Sequence, residues 1–217
     1  MKRAAFLFAL LAVLAGAAHA QQIRTSPLEG RWIWDGRRSD NAGYTELIFF
    51  GNVMLSMREN NPVYEGEFFS FTDRNINRGS NVVWRYRLSG NDLTITTDRD
   101  EIFYYRKGQM ERSPPMEGIW RITGAAANEV GYFIFTGNVW AVYENASNFG
   151  GMKIDYTTRT FNISRSFPMD IARSAGETIS NAELEDIIRA MTMEYRISGR
   201  TLVVSLYGEE MRAEKVY

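Results

Sequence analysis

The chain has 217 residues, 25 of them basic and 26 acidic, with no cysteine and a single histidine, His19. That inventory excludes disulfides, thiolate nucleophiles, Cys-ligated metals and a lipid-anchor cysteine, and beyond residue 19 it leaves no imidazole for a Ser-His-Asp triad or an ordinary zinc or copper site. Basic and acidic residues are interspersed without a block of either sign, so composition makes no electrostatic claim on nucleic acid or an anionic membrane.

The first element is a leader. Lys2 and Arg3 precede an apolar run from Ala4 to Gly16 and the small-residue triplet Ala18, His19, Ala20, the pattern of a secretory signal peptide over residues 1–20. The run is too short for a permanent anchor, and no later stretch is long and apolar enough to be one. The mature protein is therefore expected to begin near Gln21, to be periplasmic or secreted, and to carry no integral membrane segment after signal cleavage. Without Lys2 and Arg3 the basic residues number 23 against 26 acidic, a net charge of about −3. With no disulfide to help, a core must hold it together.

The rest of the chain is written twice. "SPLEGRWIW" (Ser26–Trp34) faces "SPPMEGIWRI" (Ser113–Ile122), so that Gly30 and Trp32 stand opposite Gly118 and Trp120. "FFGNVMLSM" (Phe49–Met57) faces "FTGNVWAVY" (Phe135–Tyr143), and "YRLSGNDLTI" (Tyr86–Ile95) faces "YRISGRTLVV" (Tyr195–Val204). The offsets are 88, 86 and 109 residues, which places an insertion of about 23 residues in the second copy. The copies are expected over 26–110 and 113–217, with the seam at Pro114 and Pro115.

Each copy reads as β. Trp84, Tyr86 and Leu88 alternate with Arg85 and Arg87, and Met193, Tyr195 and Ile197 with Glu194 and Arg196, the period of two of a strand with one buried face. Gly51-Asn52, Gly90-Asn91, Gly137-Asn138 and Gly199-Arg200 supply tight hairpin turns. The second copy gives about eight strands, near 118–123, 130–136, 139–145, 151–157, 160–165, 192–198, 201–206 and 210–217, and the first copy nearly the same set. Eight hairpin-linked strands close most simply into an up-and-down barrel. The predicted fold is all-β: two tandem antiparallel barrels from an internal duplication, with one helix inserted in the second near 180–191. That helix is marked by Ser180 and Glu183 as a capping box and by Leu184, Ile187, Ile188 and Met191 on one face. A second topology stays open, in which the copies merge into one larger sheet with the Pro114-Pro115 seam inside a shared ladder.

Gly30-x-Trp32 and Gly118-x-Trp120, each opening an eight-strand meander, resemble the start of lipocalin-like domains of the calycin group of small barrels. The resemblance implies that each tryptophan packs at the closed end of its barrel with a basic residue of the last strand over it. Carrying the 109-residue offset forward names Arg106 and Lys215 for that role, with Gly30, Trp32, Gly118 and Trp120 as the other barrel-closing residues.

Two functions follow as expectations. The resemblance implies a non-enzymatic binding protein carrying a small hydrophobic ligand, for which the large inward residues Trp84, Tyr86, Trp140, Met193 and Tyr195 are the lining candidates. Trp34, Trp84 and Trp140 are singled out because the other copy has Ile122, Met193 and Met54 there. In the alternative both barrels are filled, and the tandem is a protein-binding, envelope-associated or inhibitory module whose partner is an envelope or extracellular protein. No catalytic residue, cofactor, metal or nucleic-acid partner is expected. "TDRDE" (Thr97–Glu101) groups three acids but lies where a turn is expected. The arginines are placed on outward strand positions opposite acids, a solvated face.

Overall fold

The computed structural model describes residues 25–36, 43–59, 61–78, 82–123, 131–145 and 148–217; the expected leader lies outside them. Gly51 (φ 59°) and Gly137 (φ 54°) adopt the left-handed conformation that a residue without Cβ takes unstrained, and each turns the chain between two strands. The strands are β1 (Gly30–Trp34), β2 (Tyr44–Phe50), β3 (Val53–Arg58), β4 (Tyr64–Phe71), β5 (Asn75–Arg78), β6 (Val82–Ser89), β7 (Asp92–Thr96), β8 (Ile102–Lys107), β9 (Gly118–Thr123), β10 (Tyr132–Thr136), β11 (Val139–Asn145), β12 (Asn148–Tyr156), β13 (Thr160–Ile163), β14 (Met193–Ser198), β15 (Thr201–Leu206) and β16 (Glu209–Lys215). β1 to β8 pair antiparallel in chain order and β8 returns to β1, a closed eight-stranded barrel. β9 to β16 also pair in chain order, and β16 returns to β9 to complete a second ring.

Each ring has its own core: Trp32, Leu47, Phe49, Met54, Phe69, Trp84 and Leu93 among others in the first, and Trp120, Phe133, Phe135, Phe161, Met193 and Leu202 in the second. A third core lies between the rings. Ile48, Val53, Leu55 and Tyr64 from the outer face of the first meet Ile119, Tyr132, Ile134, Val139, Ala141 and Phe149 from the outer face of the second. Strands β2, β3, β10 and β11 are thus apolar on both faces, which is why their sequences run "LIFF", "VML" and "YFIF" without alternating. The hairpin spelled twice is the wall that the two rings share. Phe68 crosses this wall, with ring centroids 4.9 Å from Tyr143 and 5.5 Å from Phe149, and Phe149 lies flat enough on Gly66 that a Cβ there would stand 2.4 Å from its ring.

β4 also pairs with β12, Glu65 opposite Gly150 and Tyr64 opposite Gly151. All sixteen strands therefore belong to one hydrogen-bonded sheet. The junction is at β4 and β12; the Pro114-Pro115 seam lies in the non-strand segment between β8 and β9. A charged cluster lies in the shared wall, with Glu46 buried and Arg31 partly exposed. Arg31 donates from Nε and Nη2 to the two Glu46 carboxylate oxygens at 2.9 and 2.8 Å, and the Tyr64 hydroxyl donates to Glu46 at 2.7 Å. Burial, followed by the Glu46 charge, holds the Tyr64 phenol far above its ordinary pKa, so it stays a donor.

The insertion holds two helices where the sequence suggested one: α1 (Ser166–Ser174) and α2 (Asn181–Ala190). α2 starts at Ser180 with both hydrogen bonds of the capping box. α1 escapes sequence reading because its starting position, Arg165, makes no side-chain cap and Pro168 stands within its first turn, where a missing N–H costs nothing but the signal reads as a breaker.

Some backbone hydrogen bonds outside the ladders recur at matching places in the two rings. Phe69 N to Asn52 O has its counterpart in Ile154 N to Asn138 O, and Tyr86 N to Arg74 O in Tyr195 N to Arg159 O. The Tyr86 hydroxyl donates to Thr72 O at 2.8 Å, and the Tyr195 hydroxyl to Thr157 O at 2.8 Å.

Candidate functional site

Trp32 and Trp120 mark equivalent ends of the rings. Each is fully buried and donates its indole N–H four residues back, to Leu28 O at 2.7 Å and Met116 O at 2.8 Å. The cation over Trp120 is Lys215, with Nζ 5.4 Å from the ring centroid. The cation over Trp32 is Lys107, at 5.6 Å, and not Arg106. Arg106 lies on the solvent side beside Asp92. The sequence offset falls from 109 to 108 between β7 and β8, since Leu93 pairs with Tyr105 where Leu202 pairs with Ala213. One residue of slip turns a side chain to the other face.

The opposite end of the first barrel is unlike the rest of its core. Cross-strand neighbours share a face, so the pairings Met54–Glu67 and Phe69–Arg78 place Glu67 and Arg78 inside, because Met54 and Phe69 are core residues. Arg78 was expected on a solvated outer face. Instead its side chain is 18% exposed, and Nε is ion-paired to Glu67, which is 28% exposed. The Arg78 guanidinium carbon stands 3.8 Å from the centroid of the Trp84 ring and 5.9 Å from that of Tyr44. Tyr44 in turn lies 6.1 Å from Trp84 and carries the Arg58 guanidinium at 5.0 Å. Ser56, Arg58 and Glu65 occupy the same alternate positions of β3 and β4 as Met54 and Glu67. A polar wall from β3, β4 and β5 thus faces an aromatic wall of Trp34, Tyr44, Trp84 and Tyr105. Burial pushes the Glu67 carboxyl above its ordinary value while the Arg78 charge and hydrogen bond pull it back, and burial, followed by the neighbouring Tyr44, raises the Tyr105 phenol against the pull of the Arg78 charge.

Among the described residues, the second ring has no such wall. Trp140 pairs with Met152 where Met54 pairs with Glu67, Ile154 with Ile163 where Phe69 pairs with Arg78, and Phe161 with Met193 where Ile76 pairs with Trp84. The helices are inserted at this end, between β13 and β14, with Leu184 of α2 buried.

The five residues expected to line a ligand cavity are therefore not one site. Trp84 belongs to the polar and aromatic end of the first barrel. Tyr86 lies toward the Trp32 end, where with Pro27, Asp73, Arg74, Arg87 and Leu88 it borders an open depression of about 510 Å³. Met193 and Tyr195 are core residues of the second ring, and Trp140 packs edge-on to Phe161 at 5.4 Å with its indole N–H buried and unpartnered among the described residues. Sequence reading missed Glu67, Arg78 and Ser56. Thr97–Glu101 is a turn in which Thr97 Oγ1 accepts from the Arg99 and Glu101 amides.

No family model matches the chain, and no curated protein matches it. Among solved structures, the crystal structure of the DNA polymerase III β chain from Streptococcus pneumoniae TIGR4 aligns over 98% of this chain and 63% of that one. Identity is 10% and the TM-score 0.18, a likeness that bears on neither fold nor function.

Proposed function

We propose that this is a secreted or periplasmic, non-enzymatic binding protein of lipocalin-like design, built by internal duplication, in which the first barrel holds a small ligand at its Arg78 end and the second ring is scaffold. The repeated tryptophan, tyrosine and backbone hydrogen bonds support a duplicated design. The observation that carries the ligand site is the Glu67–Arg78 pair inside the first barrel. Replacing a buried ion pair by apolar residues of similar size is commonly neutral or stabilising by about 1–4 kcal/mol, and the second ring fills the same positions with Met152 and Ile163. A design that has an apolar solution and keeps charges in one copy keeps them for something other than stability.

Native mass spectrometry of the mature protein from its own host, without detergent, tests this. A stoichiometric small molecule that is lost on Trp84→Leu but retained on Met193→Leu is expected. A bare mass that stays bare when the protein is offered a solvent extract of the host would overturn it.

One observation favours a second reading, a protein-binding module: the inserted helices expose Met169 and Ile171. Under that reading, removing those two apolar side chains abolishes partner capture while the Glu67–Arg78 pair is irrelevant.

A further inference from the structure

Strand β6 runs on past the end of the strand beside it. β5 begins at Asn75, opposite Arg85, and the last backbone bond across that edge is from Tyr86 N–H to Arg74 O. Backbone groups alternate sides along a strand, and the β6–β7 register holds without a slip from Arg85 to Ser89. Leu88 therefore turns its N–H and C=O to the same side as Tyr86. On that side the chain has already turned away at Thr72, whose N–H bonds to Asn75 O, and Leu88 has no backbone partner there among the described residues. What it meets is open: Leu88, Pro27, Tyr86, Arg87, Asp73 and Arg74 border the depression of about 510 Å³. An overhanging strand edge beside a depression is where an extended peptide adds as a further strand.

The charge around this edge selects the peptide. Arg87 is exposed, and neither its guanidinium nor that of Arg74 makes an ion pair or hydrogen bond among the described residues. Asp73 offsets one of the two charges, so the rim stays positive. The second ring has the same overhang, since Tyr195 N–H bonds to Arg159 O and Ile197 lies beyond it. There, however, Arg196 is ion-paired to Glu210 at 2.8 Å. Thr96 pairs with Ile102 where Ser205 pairs with Glu210, so the first barrel has an exposed isoleucine in place of the neutralising acid. A strand laid along β6 would put the residue opposite Leu88 on the face of Leu88, and its two neighbours on the face of Arg87.

We propose that the β6 edge at Leu88 takes an extended segment of a partner protein with the pattern acid-apolar-acid, its apolar residue hydrogen-bonded to the Leu88 backbone and its acids against Arg87 and Arg74. This is independent of the ligand site at the Arg78 end.

Three capped peptides test it: TEVET, its neutral counterpart TQVQT, and TEVET with a methyl group on the valine nitrogen, each titrated into the mature protein labelled with nitrogen-15. TEVET should shift the Leu88 amide and bind about ten-fold or more tighter than TQVQT, the worth of one charge-assisted pair. The methylated peptide should not bind, because it lacks the donor to Leu88 O. Arg87→Gln should remove the preference for TEVET and leave TQVQT within about two-fold. Leu88→Pro, which deletes an N–H that the fold does not use, should abolish binding of both. If that variant fails to fold, the methylated peptide and the exposed Arg87→Gln decide. TQVQT or the methylated peptide binding as tightly as TEVET, shifts at Ile197 instead of Leu88, a preference that survives Arg87→Gln, or no binding of TEVET at millimolar concentration each overturns the proposal. Self-association of the mature protein that is lost on Leu88→Pro would give the edge to a second copy and overturn it too.

Discussion

The two ring interiors present the same scaffold with opposite fillings. At the Trp32 and Trp120 ends they are near copies, down to the indole hydrogen bond and the lysine above it. At the other ends they part: the first barrel carries Glu67, Arg78 and Trp84 where the second ring carries Met152, Ile163 and Met193, and only the second has helices inserted there. The shared wall differs in the same sense, since Arg31, Glu46 and Tyr64 correspond in register to Ile119, Tyr132 and Phe149. Closing a barrel fixes one end, whereas the other end is free to vary, and that is where one ring can acquire a site without losing its fold.

The largest effects test what is common. Trp32→Ala and Trp120→Ala should each cost about 3–5 kcal/mol, and in urea either variant should unfold in one transition, because the third core ties the rings together. Two separate transitions would show the rings to be independent. Arg31→Met should cost a similar 3–5 kcal/mol by stranding the buried Glu46 charge. The triple change Arg31→Ile, Glu46→Tyr and Tyr64→Phe, which transplants the second ring's solution, should restore stability to within about 1–2 kcal/mol.

The next effect has the opposite sign. Glu67→Met with Arg78→Ile should stabilise the protein by about 1–4 kcal/mol while abolishing ligand binding, measured by thermal unfolding and by native mass. Loss of stability instead would make the pair structural. Smaller again, Lys107→Met should cost about 0.5–1 kcal/mol through its contact with Trp32, and Arg106→Met should be near neutral, since its pair with Asp92 is exposed.

The smallest effect is in pH. Burial raises the Glu67 pKa above its ordinary 4.5 in the folded protein. Just above pH 4.5 the folded state therefore holds more protons than the unfolded chain, and stability falls as pH rises through that window until Glu67 is ionised in both states. Glu67→Gln should flatten this slope in melting temperature against pH; an unchanged slope would assign it elsewhere, Glu29 being another carboxylate that burial raises.

What the sequence determined was whatever depends on local pattern. Alternation along "WRYRL" put Trp84 and Tyr86 inside, Gly-Asn turns set the hairpins, the capping box started α2, and the repeated blocks aligned the two copies. Arg106 fell one residue off because a single-residue difference in a connection is invisible in a block alignment. What only the tertiary structure decided was which face of a strand is inside when both faces are apolar. In "YEGEFFSF" Tyr64 and Phe68 pack between the rings while Phe69 packs within the first barrel, so nothing in the string says on which side Glu65 and Glu67 lie. A strand's period of two labels two faces without naming them. The name comes from register against neighbours and from the second ring closing over the outer face, both set by pairings between residues far apart in the chain.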